Sequence, residues 1–218
     1  MTIEAVLFDY GGVFTPSPFA AVNAYAHAVG AEPAFFREIV FGSYHTDSDH
    51  PWHRCERGEI SVADTWAEIS AAVEAAGYRF NLAEMFSGMG AGSDGIDRTI
   101  VVDAVRRLRA RGLRTAIITN NVREYGDAWR SQLPIDELFD TIVDSSHEGV
   151  RKPNPAIYHL ALERLSVGEP SHAVFLDDFE GNVVAARNLG MHGIVVRDDP
   201  REALDELFAL VDGSPRQE

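Results

Sequence analysis

The sequence is short of positive charge, of cysteine and of long apolar runs, and each shortage removes a class of function. Lysine and arginine number 19 against 34 aspartates and glutamates, a formal net charge of −15 at pH 7. A field of that sign repels polyanions, so nucleic acid and anionic membrane surfaces are not expected as principal partners. A small anion is still admissible, because a metal ion, one ammonium and backbone N–H groups capture it locally. Cys55 is the single cysteine, so no internal disulfide forms and nothing marks an oxidising compartment. No apolar run approaches the roughly 20 residues that a bilayer requires. The opening Met1-Thr2-Ile3-Glu4 also lacks the basic start of a secretory leader. The expectation is a soluble, cytoplasmic protein; no feature specifies an oligomer.

What is present is enough apolar material for a core: 45% of 218 residues are hydrophobic, suiting one large domain or a domain with an insertion. Ile3 to Phe8 is a short apolar run ended by Asp9-Tyr10-Gly11-Gly12, which predicts a buried strand entering a tight turn. Residues 18–90 change character. They carry helical patterns at Phe19 to Val29, Ala34 to Phe41, Val62 to Ala76 and Leu82 to Phe86, with no convincing strand. Between them, Ser43 to Gly58 reads as a polar connection rich in histidine and acid, and Gly88 to Ser93 as a flexible hinge. From there helix and strand alternate. Helices are predicted at Ile100 to Arg111, Pro155 to Leu165, Asn182 to Leu189 and Arg201 to Val211; strands at Thr115 to Ile118, Thr141 to Val143, Ala173 to Leu176 and Gly193 to Val196. Such alternation predicts an α/β fold, a Rossmann-like, mainly parallel sheet flanked by helices.

Ligands of open parallel sheets bind beyond the carboxyl ends of the strands. At those ends stand Asp9, then Thr119-Asn120-Asn121, then Lys152, then Asp177-Asp178. Carboxylates, a hydroxyl, amides and an ammonium together suit a divalent cation and a phosphoryl group.

The ordered set Asp9, Thr119-Asn120, Lys152-Pro153, Asp177-Asp178 resembles the four motifs of the haloacid dehalogenase-like hydrolase superfamily, across nearly the whole chain. Arg57-Gly58-Glu59-Ile60-Ser61, Arg151-Lys152-Pro153-Asn154-Pro155-Ala156-Ile157-Tyr158 and Phe175-Leu176-Asp177-Asp178 are similar to the group holding the soluble epoxide hydrolase N-terminal phosphatase domain and bacterial glucose-1-phosphate phosphatases. The resemblance implies a core of residues 1–15 and 95–218 with a helical cap at 16–94. It implies a hydrolase of small phosphorylated metabolites in which Asp9 is the nucleophile and forms an aspartyl-phosphate. Asp9, the Gly11 carbonyl and one or both of Asp177 and Asp178 would hold Mg2+. Thr119, Asn120 and Lys152 would bind the phosphoryl group, Lys152 also neutralising developing charge. Asn182 stands where many relatives place a further acid.

Gly11 departs from the pattern, since most phosphatases of the superfamily carry an acid/base aspartate there. Its loss costs about 10²–10⁴ in rate, least for leaving groups that depart without a proton, such as sugar 1-phosphates or acyl phosphates. The glucose-1-phosphate group similarly shows glycine at this position. A 2-haloacid dehalogenase, which needs no metal, and a non-catalytic binding protein are the alternatives on this scaffold. The acidic pair and the absence of a large residue at position 11 speak against the first, and intact Asp9, Lys152 and Asp177 against the second. A receiver domain is excluded by motif order.

His45, Asp47, Asp49, His50, His53, Cys55 and Glu56 match no tight zinc spacing, so a solvated loop at the site mouth is expected, with Trp52, His50 or His53 able to touch substrate. Arg106, Arg107, Arg109, Arg111 and Arg114 complement a helix C-terminus rather than forming a nucleic-acid patch.

Overall fold

The computed structural model describes residues 2–85, 95–126 and 128–213. Five strands form one parallel sheet: β1 (Ala5–Phe8), β2 (Arg114–Thr119), β3 (Thr141–Asp144), β4 (Ala173–Asp177) and β5 (His192–Val195). Their order is β3-β2-β1-β4-β5. The chain builds outward from β1 on one side, then returns to start β4 on the other, so the topological switch point falls beside β1. Register decides what gathers there. Phe8 pairs with Ile117 on one side and with Leu176 on the other, so Asp9, Thr119 and Asp177 leave the three central strands at one end of the sheet.

Every residue of β1 is buried, the mark of a strand covered on both faces. Val6 and Phe8 enter a cluster with Val105, Leu108 and Leu207, from helices Thr99–Ala110 and Arg201–Val211. Ala5 and Leu7 point the other way, toward Ile157, Ala161 and Ala186, from helices Pro155–Arg164 and Glu180–Asn188. That alternation is the period-two rule of a strand. The predicted elements are recovered with shifts of one or two residues at their ends. The described residues also contain short helices at Ile135–Leu138 and Ser145–Glu148 that the sequence pattern did not announce; four residues are too few to show a period.

Between β1 and β2 lies a helical segment with its own core: α1 (Pro18–Ala28), α2 (Pro33–Phe41), α3 (Pro51–Glu56) and α4 (Val62–Ala75). Residues 82–85 are helical as well. Val22, Phe36, Val40, Trp52, Trp66 and Ile69 pack together there. Proline opens three of these helices, where its missing N–H goes unneeded, and Glu32, His50 and Ser61 side chains accept from the first free amides of α2, α3 and α4. Helix α3 corrects the expectation of a solvated polar connection over Ser43 to Gly58. Trp52, His53, Cys55 and Glu56 are all buried, because Trp52 and Cys55 lie three apart on one helical face against the apolar cluster while His53 meets Ser48 and Glu56 meets Trp52, Tyr44 and Arg151. The expected Gly88 to Ser93 hinge, the end of the Leu82 to Phe86 helix and the boundary at residue 94 lie outside the described residues. Among the described residues no helix is long and apolar enough to cross a membrane.

Candidate active site

The end of β1 sets the first carboxylate. The Asp9 amide donates to Leu176 O at 2.8 Å, continuing the ladder one step beyond the strand, and the Tyr10 amide donates to Asp9 Oδ1 at 2.6 Å, fixing the side chain in the turn. Two residues on, Gly12 has φ +72°, and a Cβ there would stand 2.2 Å from Asp178 Oδ2. Only glycine lets the turn and the acidic pair approach so closely.

Lys152 is the only lysine in the sequence, and its side chain is buried. Its Nζ lies 2.8 Å from Asp9 Oδ1 and 2.7 Å from Asp177 Oδ2. Burial opposes its charge, yet the Asp177 and Asp9 carboxylates outweigh burial and raise its pKa. The main chain of Lys152 is held by one side chain: Asn120 Oδ1 accepts from Lys152 N at 2.8 Å, and Asn120 Nδ2 donates to Lys152 O at 3.1 Å. Asn121 anchors the β2 end in turn, donating to Asp144 Oδ2 at 2.8 Å and, through its amide, to Ser145 Oγ at 2.9 Å.

The acidic pair divides. Asp177 is fully buried and its oxygens accept from Lys152, from Asn182 Nδ2 at 3.0 and 3.1 Å, and from the Phe179 amide at 2.8 Å. Asp178 is partly open and has a hydrogen bond from Ser17; burial first and the Asp177 charge next push its pKa up to about 7. Burial likewise holds Asp9 well above the usual carboxylate range, against the pull of Lys152. Asp9, Asp177 and Asp178 offer oxygens all within 4.8 Å of one another, a set of the kind that hard divalent cations take. No other such group of histidine, cysteine and acid gathers its ligand atoms so closely among the described residues.

Asp9, Gly11, Thr119, Asn120, Lys152 and Asp178 line one cavity of about 70 Å³. The structure thus brings together every predicted site residue except Asp177, which sits directly behind it. Beside this cavity lies a chamber of about 580 Å³ walled chiefly by Phe41, Trp52, Val62, Trp66, Leu82 and Val122. Pro18, Tyr44, Glu56 and Asn120 border both spaces. Tyr44 and Glu56 were not legible as site residues, since their placement depends on contacts with residues about a hundred positions away. Of the residues expected to touch substrate, Trp52 faces the chamber, whereas His50 and His53 turn into the helical segment: His50 Nε2 meets Ile39 O at 3.1 Å and His53 Nδ1 meets Ser48 Oγ at 2.9 Å.

A sequence model of haloacid dehalogenase-like hydrolases matches residues 3–190. The chain belongs to this family. It is 36% identical over 215 residues to mouse acyl-CoA dehydrogenase family member 10, covering 95% of this chain and 19% of that protein. With mouse bifunctional epoxide hydrolase 2 it shares 30% over 221 residues, 95% of this chain and 38% of the other. The chain therefore spans well under half of these two relatives. The sesquiterpene phosphatase astK of Aspergillus oryzae is 26% identical over 207 residues, 90% and 91% of the two chains. Among solved structures, a predicted HAD-like hydrolase from Porphyromonas gingivalis superposes with a TM-score of 0.66 at 22% identity, covering 95% of this chain and 98% of its own. A HAD family enzyme from Bacteroides thetaiotaomicron, in complex with magnesium and inorganic phosphate, does so at 0.59 and 19%, covering 90% and 95%. The L-2-haloacid dehalogenase of Xanthobacter autotrophicus reaches 0.58 and 20%, covering 98% and 84%. At such identities these structures establish the shared fold.

Proposed function

We propose that the chain is a magnesium-dependent hydrolase of small phosphomonoesters that works through an aspartyl-phosphate on Asp9. The observation that carries this reading is the single ammonium of Lys152 bridging Asp9 and Asp177 inside one cavity that Thr119, Asn120 and Asp178 also border. Two buried or half-buried carboxylates beyond what one lysine balances call for a further cation. The phosphatase relative and the magnesium complex of a structural neighbour agree with that reading.

Asp9, the Gly11 carbonyl and Asp178 would hold Mg2+; Asp177, engaged by three donors, would orient Lys152. Bound magnesium supplies charge neutralisation at the phosphoryl oxygens. An Asp9 oxygen attacks phosphorus, and the bond to the leaving oxygen breaks with its electron pair going to the leaving group. Thr119 and Asn120 donate hydrogen bonds to the phosphoryl oxygens, and Lys152 offsets their charge. Water then attacks the same phosphorus, freeing phosphate and restoring the carboxylate. The helical segment, residues 16–94, acts as a cap on a core of residues 1–15 and 95–218, since Tyr44 and Glu56 wall the cavity.

Gly11 brings no acid, which favours leaving groups that depart unprotonated, such as sugar 1-phosphates. The apolar chamber favours a second reading of the substrate, a monoester with a hydrocarbon leaving group. Phosphate release from glucose 1-phosphate, glucose 6-phosphate, an acyl phosphate and prenyl and alkyl monophosphates, with magnesium or EDTA, separates these. Turnover is expected to need magnesium and to vanish in Asp9→Asn. Activity persisting in that variant overturns the mechanism, and EDTA-resistant release of halide from a 2-haloacid replaces it with the dehalogenase.

A further inference from the structure

Arg151 and Lys152 are neighbours in the chain, and their side chains leave in opposite directions. Lys152 reaches back to Asp9 and Asp177 in the core. Arg151 reaches into the helical segment, where its Nε donates to Glu56 Oε2 at 2.6 Å. The guanidinium carbon lies 5.1 Å from the centre of the Tyr44 ring, and Nη1 stands 3.8 Å from Asp47 Oδ1. Glu56 Oε1 accepts from Trp52 Nε1 at 2.8 Å and from the Tyr44 hydroxyl at 3.0 Å. Arg151 is 0% and Glu56 2% exposed.

As a stabilising contact this pair is a poor choice. Both charges lose their water, and a well-packed apolar pair of similar volume is often as stable or more so. The desolvation is not even fully compensated, because Arg151 Nη1 and Nη2 find no hydrogen-bond acceptor among the described residues. What an ion pair offers over an apolar contact is direction. Asn120 fixes the main chain of Lys152 from the core side, and Glu56 fixes the preceding residue from the other, so the loop is clamped at two consecutive residues with the ammonium between Asp9 and Asp177.

We propose that Glu56 and Arg151 are positioning residues: their ion pair registers the helical segment on the catalytic loop and thereby sets the place of the Lys152 ammonium. The kinetic half of this rests on the phosphatase reading; the structural half does not. Because Lys152 is the only lysine, protein grown with lysine carrying ¹³C at Cε gives one lysine side-chain NMR signal, and that signal reports the position of this ammonium whether or not the enzyme turns over. Glu56→Gln removes the charge and keeps the shape. It is expected to move the lysine signal and to lower kcat for p-nitrophenyl phosphate with magnesium about 10- to 100-fold, the loss that slight misplacement of a catalytic group brings, while KM stays within about threefold. Tyr44→Phe, which removes one hydrogen bond to Glu56 and leaves both charges, should move the signal the same way by less, and decides the matter if Glu56→Gln does not fold. A lower Tm with the lysine signal and kcat at wild-type values would falsify the proposal and make the pair a structural contact. No magnesium-dependent turnover in the wild type sinks the phosphatase reading instead, and the lysine signal still tests the registration.

Discussion

Asp9 and Gly11 stand two residues apart in one turn and carry opposite implications, a nucleophile in place and an acid absent. The structure adds that the absence leaves room. A Cβ at Gly11 would meet nothing closer than Pro18 Cδ at 3.9 Å, and Gly11 is not among the glycines with positive φ. Gly11→Asp should therefore fold normally and raise kcat on simple alkyl phosphates by about 10- to 100-fold, the lower part of what general acid–base catalysis supplies, with little change for an acyl phosphate. Steady-state phosphate release on the two substrates checks this, and an unchanged ratio with magnesium still bound counts against the role assigned to position 11. Asp9, Thr119 and Asp177 were legible in the sequence because each ends or follows an apolar run that forms a strand, and Lys152 because it stands in the Arg151-Lys152-Pro153 stretch of the loop that follows the third strand. Glu56 was not. Its meaning lies in a partner 95 residues away, and charged letters in a polar stretch give no sign that they are buried.

Among the elements, α3 departs most from what its sequence announced. It is polar in composition and buried in fact, and the burial of His53 makes it sensitive to acid. Burial chiefly, and then the nearby charges of Arg151, His50 and Arg57, lower the His53 pKa to about 3. Unfolded, the imidazole has its ordinary value of about 6.5. Between those values the unfolded chain takes up a proton that the folded one refuses, so this residue's contribution is intact above pH about 6.5 and drains away as pH falls toward about 3. The slope approaches about 1.4 kcal/mol per pH unit for one such proton. Urea midpoints measured from pH 7.5 to pH 4.5 should fall more steeply in the wild type than in His53→Gln. Parallel profiles would show that His53 is not the group responsible. The strands and longer helices were readable because their apolar periods repeat; the six residues of α3 make fewer than two helical turns, too few for the period to recur.

At the scale of the whole molecule, the net charge of −15 confronts a proposed substrate that is itself an anion. The acidic field slows the encounter that the site is built to exploit, and salt screens it over a length of about 10 Å at 0.1 M. Raising potassium chloride from 10 to 200 mM, with magnesium constant, should increase kcat/KM for a dianionic phosphomonoester by a few fold. A neutral substrate analogue binding to the chamber should show no such trend. A fall in kcat/KM with salt would mean that local positive charge at the mouth outweighs the global field. Three arginines of the basic cluster are already paired with acids: Arg109 with Asp140 at 2.9 Å, Arg111 with Asp212 at 2.6 Å and Arg114 with Glu4 at 2.5 Å. Alternation of helix and strand revealed the fold class, but the strand order and the chamber arise only when residues 18–82 and 120–125 meet, which no local pattern encodes.

The chamber also gives the molecule an optical voice. Trp52 and Trp66, two of its three tryptophans, both face that space with ring centroids 5.3 Å apart. Trp129 lies away from it, against Tyr10 at 4.7 Å. Emission and near-ultraviolet circular dichroism are thus weighted toward the wall of the chamber, so that a colourless guest entering it announces itself without a label.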